Sequence, residues 1–166
     1  MFALGIDPGL TGALAMIGHR GEFLHLADIP VMERLSSPRK GGVKNQVNCA
    51  ALRELLLEWL SSIDRAALHA TIEMPIAFPG QQIQTVASSF LTAGHIEGVV
   101  QSMKIAHELV RPADWKKAAK LTASKEQCRA AAIRRWPEAA HHLARVKDHN
   151  RAEALLIARY GYDRYA

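Results

Sequence analysis

Apolar residues come in short runs over the first thirty positions. Phe2-Ala3-Leu4-Gly5-Ile6, the stretch 13–18 and the stretch 23–29 are each bounded by Gly, Pro or charged residues. Runs of that length between turn formers predict strands. The tight connections Asp7-Pro8-Gly9-Leu10-Thr11-Gly12 and His19-Arg20-Gly21-Glu22 predict an antiparallel meander. Residues 30–46 show no period; Pro30, Pro38, Gly41 and Gly42, among basic residues, predict a long loop. The spacing of Leu52, Leu55, Leu56, Trp59 and Leu60 predicts a helix over 48–61, with Asn48 as its N-cap. Residues 68–73 predict a fourth strand, stopped by Pro75, and 76–80 a loop. A long helix is expected over 81–101, a fifth strand over 104–110, and short helices over 112–119 and 124–135. After Pro137 a last helix is expected over about 150–160.

Three strands, helix, strand, helix, strand and then helices is the order of a mixed sheet, because strands separated by helices pair in parallel. The expected class is α/β, with a mixed five-stranded sheet flanked by helices. The order resembles that of the ribonuclease H-like fold, which hosts several chemistries and does not by itself assign one. The length of 166 residues fits one domain spanning 1–166.

Charge sharpens this picture when it is divided along the chain. The total is 21 Lys and Arg against 16 Asp and Glu, net +5. Residues 1–75 carry seven basic and eight acidic residues, and 76–110 carry one and two. Residues 111–166 carry thirteen and six, a net of +7. A local basic excess is what a polyanion-binding surface requires, although a solvated helical face produces it too. No apolar stretch approaches the roughly 20 residues of a membrane span, and no basic leader precedes an apolar core. No membrane contact and a cytoplasmic location are therefore expected. Two cysteines cannot make a disulfide framework or a four-ligand zinc site. Cys49 and Cys128 are expected to be small buried groups in a reducing compartment.

Four acidic residues stand at element ends. Asp7 follows the first strand and Glu73 ends the fourth; Asp148 and Glu153 flank the start of the last helix. If the first and fourth strands are parallel, Asp7 and Glu73 emerge at one sheet edge. Converging carboxylates suit a hard divalent cation, and two such ions can drive phosphodiester hydrolysis. Taken singly, Asp7 could serve only a turn, Glu73 a surface, Asp148 a loop and Glu153 a helix cap.

The motifs resemble those of RuvC-type Holliday-junction resolvases over about the whole chain. Gly5-Ile6-Asp7-Pro8-Gly9-Leu10-Thr11-Gly12 is similar to that family's first motif and Ile72-Glu73-Met74-Pro75 to its second. Arg111-Pro112-Ala113-Asp114-Trp115-Lys116 and Ser124-Lys125-Glu126-Gln127 resemble the segment bearing its basic residues. Lys147-Asp148-His149-Asn150-Arg151-Ala152-Glu153 resembles its last motif, in the phage and organellar form. The resemblance implies a homodimer that makes two symmetric nicks in a four-way DNA junction with Mg²⁺ or, in its place, Mn²⁺. It implies Asp7, Glu73, Asp148 and Glu153 as catalytic and metal-binding carboxylates. Lys116 and Lys125 would contact phosphate, and Phe78 would wedge into the junction or else anchor its loop in the core. Arg39, Lys40, Lys44 and Arg151 would hold the backbone. The departure is in the last motif: family members have two ligands spaced three apart, and three before Glu153 stands Asn150. Asp148 is favoured over His149 as the partner. Competing readings are another nuclease of the same fold acting on forks, flaps or hybrids, and a junction-binding protein without catalysis. A phosphotransferase of the actin and sugar-kinase type needs a duplicated domain for which 166 residues leave no room.

Overall fold

Five strands form one sheet in the order β3-β2-β1-β6-β7, where β1 is Phe2–Asp7, β2 Ala13–Ile17, β3 Phe23–Asp28, β6 Leu68–Glu73 and β7 Ala106–Val110. The computed structural model describes residues 1–35, 43–122 and 124–166. β1 pairs antiparallel with β2 and β2 with β3, as the short turns dictate. β1 pairs parallel with β6 in the register Ile6↔Ile72, and β6 parallel with β7, as the intervening helices dictate. The sheet is mixed and five-stranded.

Side-chain alternation divides the core in two. Leu4, Ile6, Leu14, Met16, Ala70 and Ile72 point to one face, where they meet α1 (Cys49–Trp59) and α2 (Ile83–Ser102). Ala3, Ala13, Ala15 and Ile17 point to the other, against α3 (Pro112–Ala118), α4 (Lys125–Arg135) and α5 (His149–Tyr165). Asn48 caps α1, its side-chain oxygen accepting from the Ala51 N–H at 3.1 Å. Ser124 caps α4 through the Gln127 N–H at 3.4 Å.

Three expectations are corrected. The segment expected to be one long loop contains two strands, β4 (Val31–Leu35) and β5 (Val43–Val47), paired antiparallel. Among the described side chains of this ladder Val31, Met32, Lys44 and Asn45 are exposed and only Val47, at its end, is buried in the core, so one buried position is too few to impose a period on the sequence. The last helix continues to Tyr165, past its apolar stretch, because the Tyr165 hydroxyl donates to Glu108 Oε2 at 3.0 Å and ties the end to β7. Cys128 is buried as expected, but Cys49 is only half-buried, and both thiols are free. Among the described residues, no helix is long and apolar enough to cross a membrane.

Candidate active site

Asp7 closes β1 and Glu73 closes the parallel neighbour β6. Both stand one position beyond the Ile6↔Ile72 pair. Those isoleucines face α1 and α2, so alternation turns both carboxylates toward α5. α5 lies unusually close over β1: a Cβ on Gly5 would fall 2.1 Å from the Ala154 carbonyl oxygen and 2.2 Å from the Ala158 nitrogen. Only glycine fits there, and the close approach carries Glu153, one residue before Ala154, to the same sheet edge. α3 begins with Pro112 at its first turn and delivers Trp115 and Lys116 to the group.

The group is electrostatically coupled. Burial first, and then the Glu73 and Glu153 carboxylates, push the Asp7 carboxyl up to about 8, against the opposing pull of Lys116 and Lys125. Burial also raises Glu73, although the Trp115 indole N–H donates to its Oε2 at 2.5 Å and favours its charged form. The Lys116 ammonium lies 2.9 Å from Glu153 Oε1, with Glu153 buried to 8% exposure. Burial pulls Lys116 down, but its bond to Glu153 prevails and holds it above the usual lysine range. Its ammonium also sits 4.9 Å from the Trp115 ring centroid. Burial and the nearby Glu153 push the Cys128 thiol up to about 11, so it stays protonated.

Asp148 is not brought into this group. It is buried in a 3-10 turn (Val146–Asp148), and Arg145 encloses its carboxylate. The Arg145 backbone N–H donates to Oδ2 at 2.8 Å and its Nη2 to Oδ1 at 2.7 Å. Arg145 first, and Arg151 after it, hold Asp148 below the usual carboxylate range. Asn150, one turn before Glu153, reaches the loop after Asp7 instead. Its amide nitrogen donates to the Thr11 carbonyl at 2.6 Å and to the Thr11 hydroxyl at 3.2 Å. His149 hydrogen-bonds the Val146 carbonyl through Nδ1, at 3.2 Å.

The expected DNA-binding residues fall in several places. Lys125 is exposed at the start of α4 and acts on Asp7. With Lys147 and Arg145 it lines a cleft of about 740 Å³ beside Asp148. Lys44 lies on β5 and lines a separate cleft beside Pro8. Arg151 forks onto Asp28 at 2.6 and 2.7 Å, so its guanidinium braces α5 against β3. The Phe78 ring is 62% exposed, which excludes a core anchor. Arg39 and Lys40 lie outside the described residues. Trp115, which donates to Glu73, and Arg145, which holds Asp148, are contacts that the spacing of acidic groups does not reveal. Trp115 lies inside the Arg111–Lys116 motif, and Arg145 stands three before Asp148, as a capping partner does.

Asp7, Glu73 and Glu153 supply hard oxygen donors, the type that Mg²⁺ and Mn²⁺ take. Their mutual repulsion calls for a cation, and Lys116 supplies one. Among the described residues, no three Asp, Glu, His or Cys side chains stand close enough to share an ion as placed. The donor types fit a divalent cation, with Glu153 engaged by lysine.

No protein-family model matches the chain, and no curated protein matches it. Solved structures do. RuvC of T. thermophilus in complex with a Holliday junction substrate superposes with a TM-score of 0.59 and 16% identity, over 99% of this chain and 96% of that one. A second Thermus thermophilus RuvC structure superposes with a TM-score of 0.53 and 16% identity, over 97% of each chain. The mixed sheet and its flanking helices therefore have the RuvC-type, ribonuclease H-like fold.

Proposed function

We propose that the chain is a divalent-metal-dependent endonuclease that resolves four-way DNA junctions by paired symmetric nicks, leaving 5′-phosphate and 3′-hydroxyl ends. The observation that carries this reading is the convergence of Asp7, Glu73 and Glu153 with Lys116 at one edge of a RuvC-type sheet. A charge-repelling buried cluster costs stability, so catalysis explains it better than folding does.

Asp7, Glu73 and Glu153 would hold Mg²⁺ or Mn²⁺, which when bound supplies an activated water and stabilises the leaving oxygen. Trp115 fixes the rotamer of Glu73. Lys116 is placed to meet negative charge developing on the scissile phosphate, a contribution of about 10²–10³ in rate for one preorganised donor. Lys125 and Lys44 supply positive potential on either side of the cut, and binding falls with salt as counterions are released. Asp148 supports the start of α5 through Arg145, and Phe78 projects where it can wedge between bases.

Two nicks on a two-fold substrate require two copies of the site. The stripe Ile83, Ala87, Phe90, Gly94 and Gly98 on α2 is the proposed dimer contact. Ile83 is 85% exposed and Phe90 46%, and a Cβ on either glycine meets nothing within 4 Å. The second copy's helix would fill that space.

The test is cleavage of a labelled four-way junction against linear duplex, with Mg²⁺ and with EDTA. Metal-dependent cutting confined to the junction is the expected result. Equal cutting of linear duplex would assign a broader nuclease, and tight junction binding without cutting would assign a binding protein.

A further inference from the structure

Residues 74–96 contain no Lys, Arg, Asp or Glu in a chain that is 22% charged. Nevertheless the first turns of α2, with the two residues before them, are exposed throughout 81–85 and 87–91. Exposed helices normally carry charge, so a stretch of amides and hydroxyls calls for another explanation. One face of it lines a cleft of about 510 Å³, a size that suits a small ligand or a nucleotide. Opposite stand Pro8, Gly9 and Leu10, the residues directly after Asp7, and Asn45 of β5. The cleft therefore opens within one residue of the carboxylate group.

Its uncharged polar groups are amides and hydroxyls, those of Thr85 and Ser88 among them. Gln82, Gln84 and Asn45 present side-chain amides, each with two donors and an acceptor. The Ser89 and Thr92 hydroxyls are turned back onto the Thr85 and Ser88 carbonyls inside the helix. Among the described residues the cleft holds no acidic side chain and one cation, Lys44, which stands where it meets a second groove lined also by Arg34 and His95. Uncharged amides do not attract a phosphate backbone; they match the mixed donor and acceptor edges of nucleobases. On the N6/N7 edge, which an unstacked base also exposes, Asn and Gln pair in bidentate fashion with adenine, whereas guanine is read there by Arg or Lys, cytosine by an acid and thymine by apolar contact with its methyl group.

We propose that this cleft takes an unstacked base of the DNA strand beside the cut and that Gln82, Gln84 and Asn45 select adenine there. The proposal rests on the nuclease reading above and extends it to base selection. Lys44, at the rim, contacts backbone phosphate. Charged and neutral work are thus separated across the site: the cleft by Lys125, Arg145 and Lys147 takes phosphate, and the amide cleft takes bases.

The test is a selection by binding. A pool of four-way DNA junctions with randomised bases around the branch point is bound to the full-length protein in EDTA, and the bound fraction is sequenced. Adenine is expected to be enriched about fivefold or more at one or two positions, the discrimination of a single bidentate pair. In the double variant Gln82→Ala/Gln84→Ala the enrichment is expected to fall below about twofold, with less than about a threefold change in affinity for the unselected pool. These side chains are exposed, and Asn45→Ala repeats the test from a different element. A flat wild-type profile overturns the proposal, as does enrichment that survives both variants, or guanine enrichment abolished by Lys44→Ala. The selection needs no cleavage. Adenine selection without cutting in Mg²⁺ would overturn the nuclease reading alone, and cutting with a flat profile would overturn this proposal alone.

Discussion

The Lys116 ammonium lies 2.9 Å from Glu153 Oε1, at the edge where Asp7 and Glu73 also end their strands. The lysine partly neutralises a carboxylate group that would otherwise repel itself. It also occupies one of the oxygens that a metal ion needs. Lys116→Met is therefore expected to have two separable effects. Junction cleavage falls about 10²–10³-fold, the loss of one preorganised cationic donor. Mn²⁺ binding to the variant, measured by calorimetry without DNA, becomes tighter because its competitor has gone. Unchanged cleavage would remove Lys116 from the site; unchanged Mn²⁺ affinity would leave it a phosphate contact only.

Asp7 makes the metal-free protein pH-sensitive. Its folded-state carboxyl is raised to about 8, while an unfolded aspartate titrates near 3.9. Between those values the folded chain retains a proton that the unfolded chain has released. Stability from this group is thus fully present below about pH 4 and is lost as pH rises to about 8. Asp7→Asn has no proton to lose. In thermal melts without metal its midpoint is expected about 3–8 °C above wild type at pH 8.5, with no gain at pH 4. Equal melting at both pH values would contradict the burial and repulsion assigned to Asp7.

Trp115 tests how much the site depends on an oriented Glu73. The indole is fully buried and donates to the carboxylate. Trp115→Phe keeps most of the apolar contact and deletes the donor. A charge-assisted bond contributes about 1.5–3 kcal/mol, so a midpoint loss of about 3–10 °C is expected. Cleavage is expected to fall because Glu73 is no longer held. Wild-type activity in a folded variant would show that Glu73 needs no positioning.

The sheet edge was legible in the sequence because two apolar runs, Phe2–Ile6 and Ala70–Ile72, each end on a carboxylate, and a helix between strands imposes parallel pairing. Glu153 was legible from its motif, and Gly5 is what seats α5 closely enough to use it. The β4–β5 pair was not legible, because among its described side chains only Val47 is buried and the exposed remainder leaves no alternation. The separation of Asp148 was not legible either. Whether a carboxylate just ahead of a helix turns toward the sheet or toward Arg145 is decided by one 3-10 turn, and spacing along the chain does not record it.

That separation yields a contrast between two acids five positions apart. Glu153→Gln removes a member of the coupled group and is expected to abolish cleavage with little loss of junction binding. Asp148→Asn breaks the Arg145 fork, whose acid is 4% exposed. Its expected effect is a loss of about 1–3 kcal/mol, read as a lower melting midpoint, with cleavage at permissive temperature within about tenfold of wild type. A stable Asp148→Asn protein that cannot cut would bring Asp148 back into the chemistry.

The apolar stripe on α2 bears on how a chain of this size would make the two cuts proposed for it. Phe90 is half exposed and stands one turn from Gly94, where open space lets a second helix come near. A charge placed there would be buried at a dimer contact without a partner, at a cost of several kcal/mol. A monomer would leave the same charge in water at no such cost. Phe90→Glu is therefore expected to shift the protein from dimer to monomer in sedimentation equilibrium, with its melting midpoint at low concentration unchanged. In a junction assay the monomer is expected to give single nicks in place of paired ones. A dimer that survives Phe90→Glu would place the contact elsewhere on the molecule.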